Sequence, residues 1–159
     1  MLILGIDPSL RSTGYAIIRK NNNSFSLVEA NFINNKKVEE DFVCMQNIYN
    51  KMLDLLNTYQ VNIVGMEATF VNKNAQTSLK LGLVRGMCYA VAISKNIKLL
   101  EFSPTNIKKT ITGNGNAEKT QIDFMVKQIL GSSAINFKNN DISDAIAVAI
   151  TTGLNFNVM

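Results

Sequence analysis

The stretch Leu2-Ile3-Leu4-Gly5-Ile6-Asp7 constrains the fold more than any other part of the chain. It is an apolar run that ends in a single carboxylate. Such a run reads as a strand buried on both faces, although periodicity alone also admits a short buried helix. Pro8 follows at once and ends the ladder, because proline has no N–H to donate. Asp7 is thereby presented at a strand end, where the chain turns. Taken alone, an Asp in this place reads as a turn residue bonded to its own backbone. Three further carboxylates change that reading.

The remaining chain supplies the frame for them. Gly14 to Ile18 reads as a second strand, Asn21-Asn22-Asn23 as a turn, and Phe25 to Phe32 as a third strand. Links this short predict an antiparallel meander. From about Lys37 to Tyr59, apolar residues at Val38, Phe42, Met45, Ile48, Met52, Leu55 and Leu56 recur at helical spacing. Val61 to Met66 is a fourth strand, and it too runs into a carboxylate, Glu67. A second helix is expected over about Gln76–Ser94, and a fifth strand over Ile97–Phe102. Pro104 is read as opening a loop that Gly113 and Gly115 keep irregular. A helix follows near Ala117, and a last one from about Asp141 to Leu154. This order predicts one α/β domain over residues 1–159. Its sheet is mixed and five-stranded, three antiparallel strands followed by parallel αβ units, with helices on both faces. A right-handed crossover sets the fourth strand parallel to the first. Asp7 and Glu67 then share one sheet edge, the edge where open α/β sheets bind ligands.

Asp141 and Asp144 stand three apart and so share a helix face. Asp141 sits where an N-cap belongs. Asp144 precedes Ala145 to Ile150, an almost wholly apolar run that reads as a buried helix. A buried carboxylate needs a partner or a metal. Four clustered carboxylates would repel and hold protons, and a hard divalent cation removes that conflict. Oxygen-only ligands suit Mg2+, with Mn2+ as a substitute. Two such ions about 4 Å apart support phosphodiester hydrolysis by in-line displacement.

Composition narrows the chemistry. The chain has no histidine, which removes Ser-His and Cys-His nucleophilic pairs and imidazole metal ligands. Cys44 and Cys88 are isolated, which argues against a zinc site and for a reducing cytosol. No apolar run approaches a membrane span and no secretory signal is visible, so a cytoplasmic location without membrane association is expected. Eight basic residues fall between Ala68 and Thr120 (Lys73, Lys80, Arg85, Lys95, Lys98, Lys108, Lys109 and Lys119), opposed only by Glu101 and Glu118. This suggests either a polyanionic partner or a solvated Lys-rich surface.

Several motifs in order resemble the RuvC-type Holliday-junction resolvases of the ribonuclease H-like superfamily. They are Gly5-Ile6-Asp7-Pro8 with Thr13-Gly14-Tyr15, Glu67-x-x-Phe70 with Lys73-Asn74, and Leu79-Lys80-Leu81-Gly82 with Arg85-Gly86. Gly113-x-Gly115-x-Ala117-x-Lys119 and Asp141-x-x-Asp144-Ala145 follow. The resemblance implies a ribonuclease H-like fold and Mg2+-dependent, symmetric nicking of four-way DNA junctions by a homodimer. It also points to a branch-migration motor as a partner. It carries metal binding, with two ions per site, onto Asp7, Glu67, Asp141 and Asp144. Phe70 becomes a junction-contacting aromatic, and Lys108 and Lys119 catalytic lysines. Ser9 stands where the family usually has glycine, so a different first turn is expected.

Other residues carry readings of their own. Phe70 reads either as a core aromatic or, with the strand ending just before it and polar residues around it, as exposed and suited to base stacking. A lysine in a first helical turn is disfavoured by the dipole, so Lys119 calls for an anionic partner, with DNA phosphate the expected one. Lys73, Lys80, Arg85 and Lys109 are candidate backbone contacts, and Arg85 could equally form an ion pair. Ser78, Gly82, Gly86 and Ala90 recur every fourth residue and form a ridge of small side chains. That ridge packs either on the chain's own sheet or on the same helix of a second subunit. Three rival functions are a structured-RNA nuclease, a non-catalytic junction-binding module, and a sugar kinase or actin-like ATPase. The last needs a second lobe and about twice this length.

Overall fold

The computed structural model describes residues 1–68, 74–131 and 140–156. Strands β1 (Leu2–Asp7), β2 (Ser12–Asn21), β3 (Ser24–Asn34), β4 (Ile63–Glu67) and β5 (Leu99–Phe102) form one sheet. Its order is β3-β2-β1-β4-β5. The first three strands are antiparallel neighbours, and β4 and β5 join parallel, as the element order requires. Gly5 aligns with Gly65 and Ile6 with Met66, so Asp7 and Glu67 end adjacent parallel strands on one edge.

Helices cover both faces. Beneath one lie α1 (Asp41–Thr58) and α2 (Ala75–Ser94), packed on Leu4, Ile6, Ile17, Val64 and Met66. On the other lie α3 (Pro104–Thr112), α4 (Lys119–Ile129) and α5 (Asn140–Asn155), packed on Ile3, Ala16, Ile18 and Ile63. Side chains alternate across a strand. Ile3, Gly5 and Asp7 therefore face α5, as do Ile63, Gly65 and Glu67. Both strands follow the same pattern: an isoleucine to pack, a glycine to clear space, and an acid at the end.

Two elements differ from the expectation. The segment after Pro104 is a helix rather than a loop. Proline at a first helical position loses no bond, because that N–H has no partner in the helix. The Ser103 hydroxyl caps the end by accepting from the Asn106 N–H at 3.2 Å. Gly113, at φ 79°, closes it and donates its N–H to the Lys109 carbonyl at 2.9 Å. The first helix also starts later than Lys37. Arg11 donates from Nη1 to the carbonyls of Lys36 and Glu39, which holds residues 36–39 in a turn. Val38 and Phe42 are accordingly exposed, and the buried stripe begins at Cys44. Among the described residues, no helix is long and apolar enough to cross a membrane.

Candidate active site

Helix α5 is seated by glycines. A Cβ on Gly5 would collide with the Ala145 carbonyl and come within 2.7 Å of the Ala149 Cβ. A Cβ on Gly65 would collide with the Thr152 hydroxyl, and one on Gly14 with the Asp141 carbonyl. Only glycine at these three positions lets the helix lie this low on the sheet. The consequence is chemical. Asp7 pairs across the ladder with Gly14, and Gly14 lies under Asp141. The first turn of α5 is thereby set over the end of β1.

Oxygen atoms of Asp7, Asp141 and Asp144 all lie within 4.8 Å of one another. Glu67 stands alongside and is electrostatically coupled to Asp7. Burial, and then the charges of Glu67, Asp144 and Asp141, push the Asp7 carboxyl up to about 8. Burial and then Asp144 push Glu67 up to about 7. Burial also raises Asp144, against the lowering effect of Lys119. A cluster this proton-hungry, built only of hard oxygen donors, fits a metal cation.

A cavity of about 200 Å³ opens between Glu67 and Asp144 on the acidic side and Lys108 and Lys119 on the basic side. Ile107, Ile122 and Ala147 form its apolar lining. Lys119 does have the anionic partner its place in the first turn calls for, and in this structure that partner is Asp144, at 2.7 Å. Burial alone would lower the lysine, but the hydrogen bond and charge of Asp144 leave it above its ordinary value. Lys108 reaches the cavity because Pro104–Thr112 is helical; Lys109, its neighbour in sequence, is exposed.

The other predicted residues are distributed elsewhere. Lys80 pairs with Asp41 at 2.7 Å, and the Arg85 guanidinium holds Glu101 of β5 at 2.6 Å. Of the two readings for Arg85, the ion pair is present. Phe70 and Lys73 lie outside the described residues. On α2, Gly82, Gly86 and Ala90 are exposed and Ser78 is half-buried, and among the described residues a Cβ at either glycine would meet nothing within 4 Å. The ridge therefore does not pack on its own sheet, which removes that reading. Ser9 needs no glycine: its N–H bonds the Thr13 hydroxyl at 3.3 Å, and it has no positive φ.

Sequence reasoning missed three contributors. The Ser12 hydroxyl donates to Asp141 Oδ2. Asp123, one turn beyond Lys119 on α4, adds negative charge near Lys119 and Asp144, and its buried Oδ1 has no hydrogen-bond partner among the described residues. The seating glycines were legible in principle, as the repeated Ile-x-Gly-x-acid pattern of β1 and β4.

Comparison with known proteins agrees with this geometry. The family model described as crossover junction endodeoxyribonuclease RuvC matches residues 3–152. A crossover junction endodeoxyribonuclease RuvC of Ehrlichia ruminantium (strain Gardel) is 41% identical over 158 residues, covering 94% of each chain. One from Rickettsia felis is 40% identical over 152 residues, covering 95% of this chain and 96% of its own. Among solved structures, Thermus thermophilus RuvC in complex with a Holliday junction substrate superposes with a TM-score of 0.87 at 23% identity. That match covers 96% of this chain and 93% of the other. The chain belongs to the crossover junction endodeoxyribonuclease RuvC family.

Proposed function

We propose that this protein is a structure-selective endonuclease that resolves four-way DNA junctions by paired, symmetric nicks. The observation that carries the reading is the group formed by Asp7, Asp141 and Asp144, with Glu67 beside it, opening onto a cavity whose other wall is Lys108 and Lys119. Family membership supports it, as do the names of the relatives. The four carboxylates would hold two Mg2+ ions, or Mn2+ in their place. Metal bound there supplies charge neutralisation for the attacked phosphate and lowers the pKa of a bound water.

The chain's own residues do the rest. Lys108 and Lys119 face the carboxylates, and their ammonium groups bind and orient the phosphodiester. Ile107, Ile122 and Ala147 keep that wall of the cavity dry, which strengthens each charge–charge contact. Lys73, Lys80, Arg85 and Lys109 extend the positive surface along the DNA backbone, and Phe70 stacks on an unpaired base. Lys80 and Arg85 first have to exchange Asp41 and Glu101 for phosphate.

Two matched incisions need two sites, so the protein acts as a homodimer. The open Ser78-Gly82-Gly86-Ala90 ridge supports this, with exposed Leu79 and Leu83 beside it. A branch-migration motor would deliver the junction, in the cytoplasm. The test is cleavage in Mg2+ of a four-way junction, a linear duplex and a structured RNA. Paired nicks confined to the junction are expected, and Lys108→Ala should lower their rate by about 10²–10³-fold. No cleavage of the junction, or preferential cleavage of the RNA, overturns the reading.

A further inference from the structure

We propose that Ser12 is a positioning residue that sets the metal-binding rotamer of Asp141; this deepens the carboxylate-site reading above and rests on it. Ser12 opens β2, and Gly14 is two residues on, so both face α5. The two positions act on one residue of that helix. Gly14 leaves room for the Asp141 backbone, and the Ser12 hydroxyl donates to Asp141 Oδ2.

The contact spans 129 residues of sequence and ties the strand next to β1 to the helix that carries half of the acidic cluster. No local need explains the hydroxyl. The adjacent turn is closed by Thr13, whose side chain bonds both the N–H and the carbonyl of Ser9. Ser143, the hydroxyl nearest Asp141 in sequence, is turned to the Asn140 carbonyl at 2.9 Å.

The chemistry of the donor matters. Asp144 is held by a cation, Lys119, which cancels part of its charge. A neutral hydroxyl orients Asp141 without that loss. A carboxylate offers about four acceptor positions, so one hydroxyl bond leaves room for a cation. Donors of this kind behind metal-binding groups fix their orientation, and losing one typically weakens metal binding about 10–100-fold.

The test compares two side chains of the same shape at position 12 in the full chain. Mn2+ binding is measured by titration calorimetry on wild type, Ser12→Thr, Ser12→Val and Asp7→Asn. Threonine keeps the hydroxyl and should bind Mn2+ within about twofold of wild type, whereas valine should bind about 10–100-fold more weakly. Metal-free thermal unfolding should be alike in the two variants. Should valine fail to fold, Ser12→Ala removes the hydroxyl without adding bulk and is read against threonine instead. Equal Mn2+ affinity with and without the hydroxyl overturns the proposal. A wild type that binds no Mn2+, or an Asp7→Asn that binds as wild type does, overturns the carboxylate-site reading beneath it.

Discussion

Two sets of glycines in this molecule look alike in sequence and sit in opposite surroundings. Gly5, Gly14 and Gly65 lie under α5 with no room for a methyl group. Gly82 and Gly86 lie on the outer face of α2 with open space around them. The first set is filled by the chain's own helix, and the result is a cluster of like charges at Asp7, Asp141 and Asp144. The second set is filled by nothing among the described residues. A small residue permits close approach, but only the fold shows whether the approach is internal or is left for another molecule.

The sharpest break of this comparison is a methyl group in each set. Gly5→Ala must move the α5 backbone away from β1. It should cost about 3 kcal/mol, at the upper end of overpacking, and weaken Mn2+ binding with it. Urea unfolding and calorimetry read the two effects. A Gly5→Ala protein of wild-type stability would mean that α5 does not sit this close to the sheet.

A smaller effect, of opposite sign, comes from removing a charge that the glycines force inward. Asp7 and Glu67 titrate near 8 and 7 in the folded chain, far above their ordinary 3.8 and 4.5. Between those limits the folded protein holds protons that the unfolded chain has released. Metal-free stability should therefore fall as pH rises from about 4 to about 8, and then level. Asp7→Asn removes the larger share. Near pH 8 it should be more stable than wild type by about 2 kcal/mol, or roughly 4–8 °C in Tm. Its cleavage should be lost while junction binding persists. Melting curves across this pH range check the slope, and a wild type whose stability rises with pH would contradict the crowding of the cluster.

The least effect is expected on α2. Gly86→Ala should stabilise the folded chain by about 1 kcal/mol through helix propensity. Gly86→Leu should also fold, since a Cβ there meets no described residue within 4 Å, yet it should sediment as a monomer and lose paired incision. If Gly86→Leu instead unfolds, the outer face is occupied from within the chain and the contrast between the two sets disappears.

The sequence by itself determined the strand ends and their acids. The carboxylate of Asp7 follows from an apolar run stopped by Pro8, and that of Glu67 from a second run joined by a crossover of fixed hand. Local periodicity and chain connectivity carry that much. The helix begun by Pro104 was misread because proline punctuates loops and first helical turns alike, and the Ser103 cap decides between them. Only the tertiary structure decided the partners: Glu101 for Arg85, Asp41 for Lys80, Asp144 for Lys119, and Ser12 for Asp141. These contacts join residues from 16 to 129 positions apart. At the site, the Asp144–Lys119 and Ser12–Asp141 contacts depend on how low α5 rests on the sheet, and no local pattern encodes that height. It follows from three missing methyl groups whose counterparts, on α5, are more than a hundred residues away in two cases out of three and nearly ninety in the third.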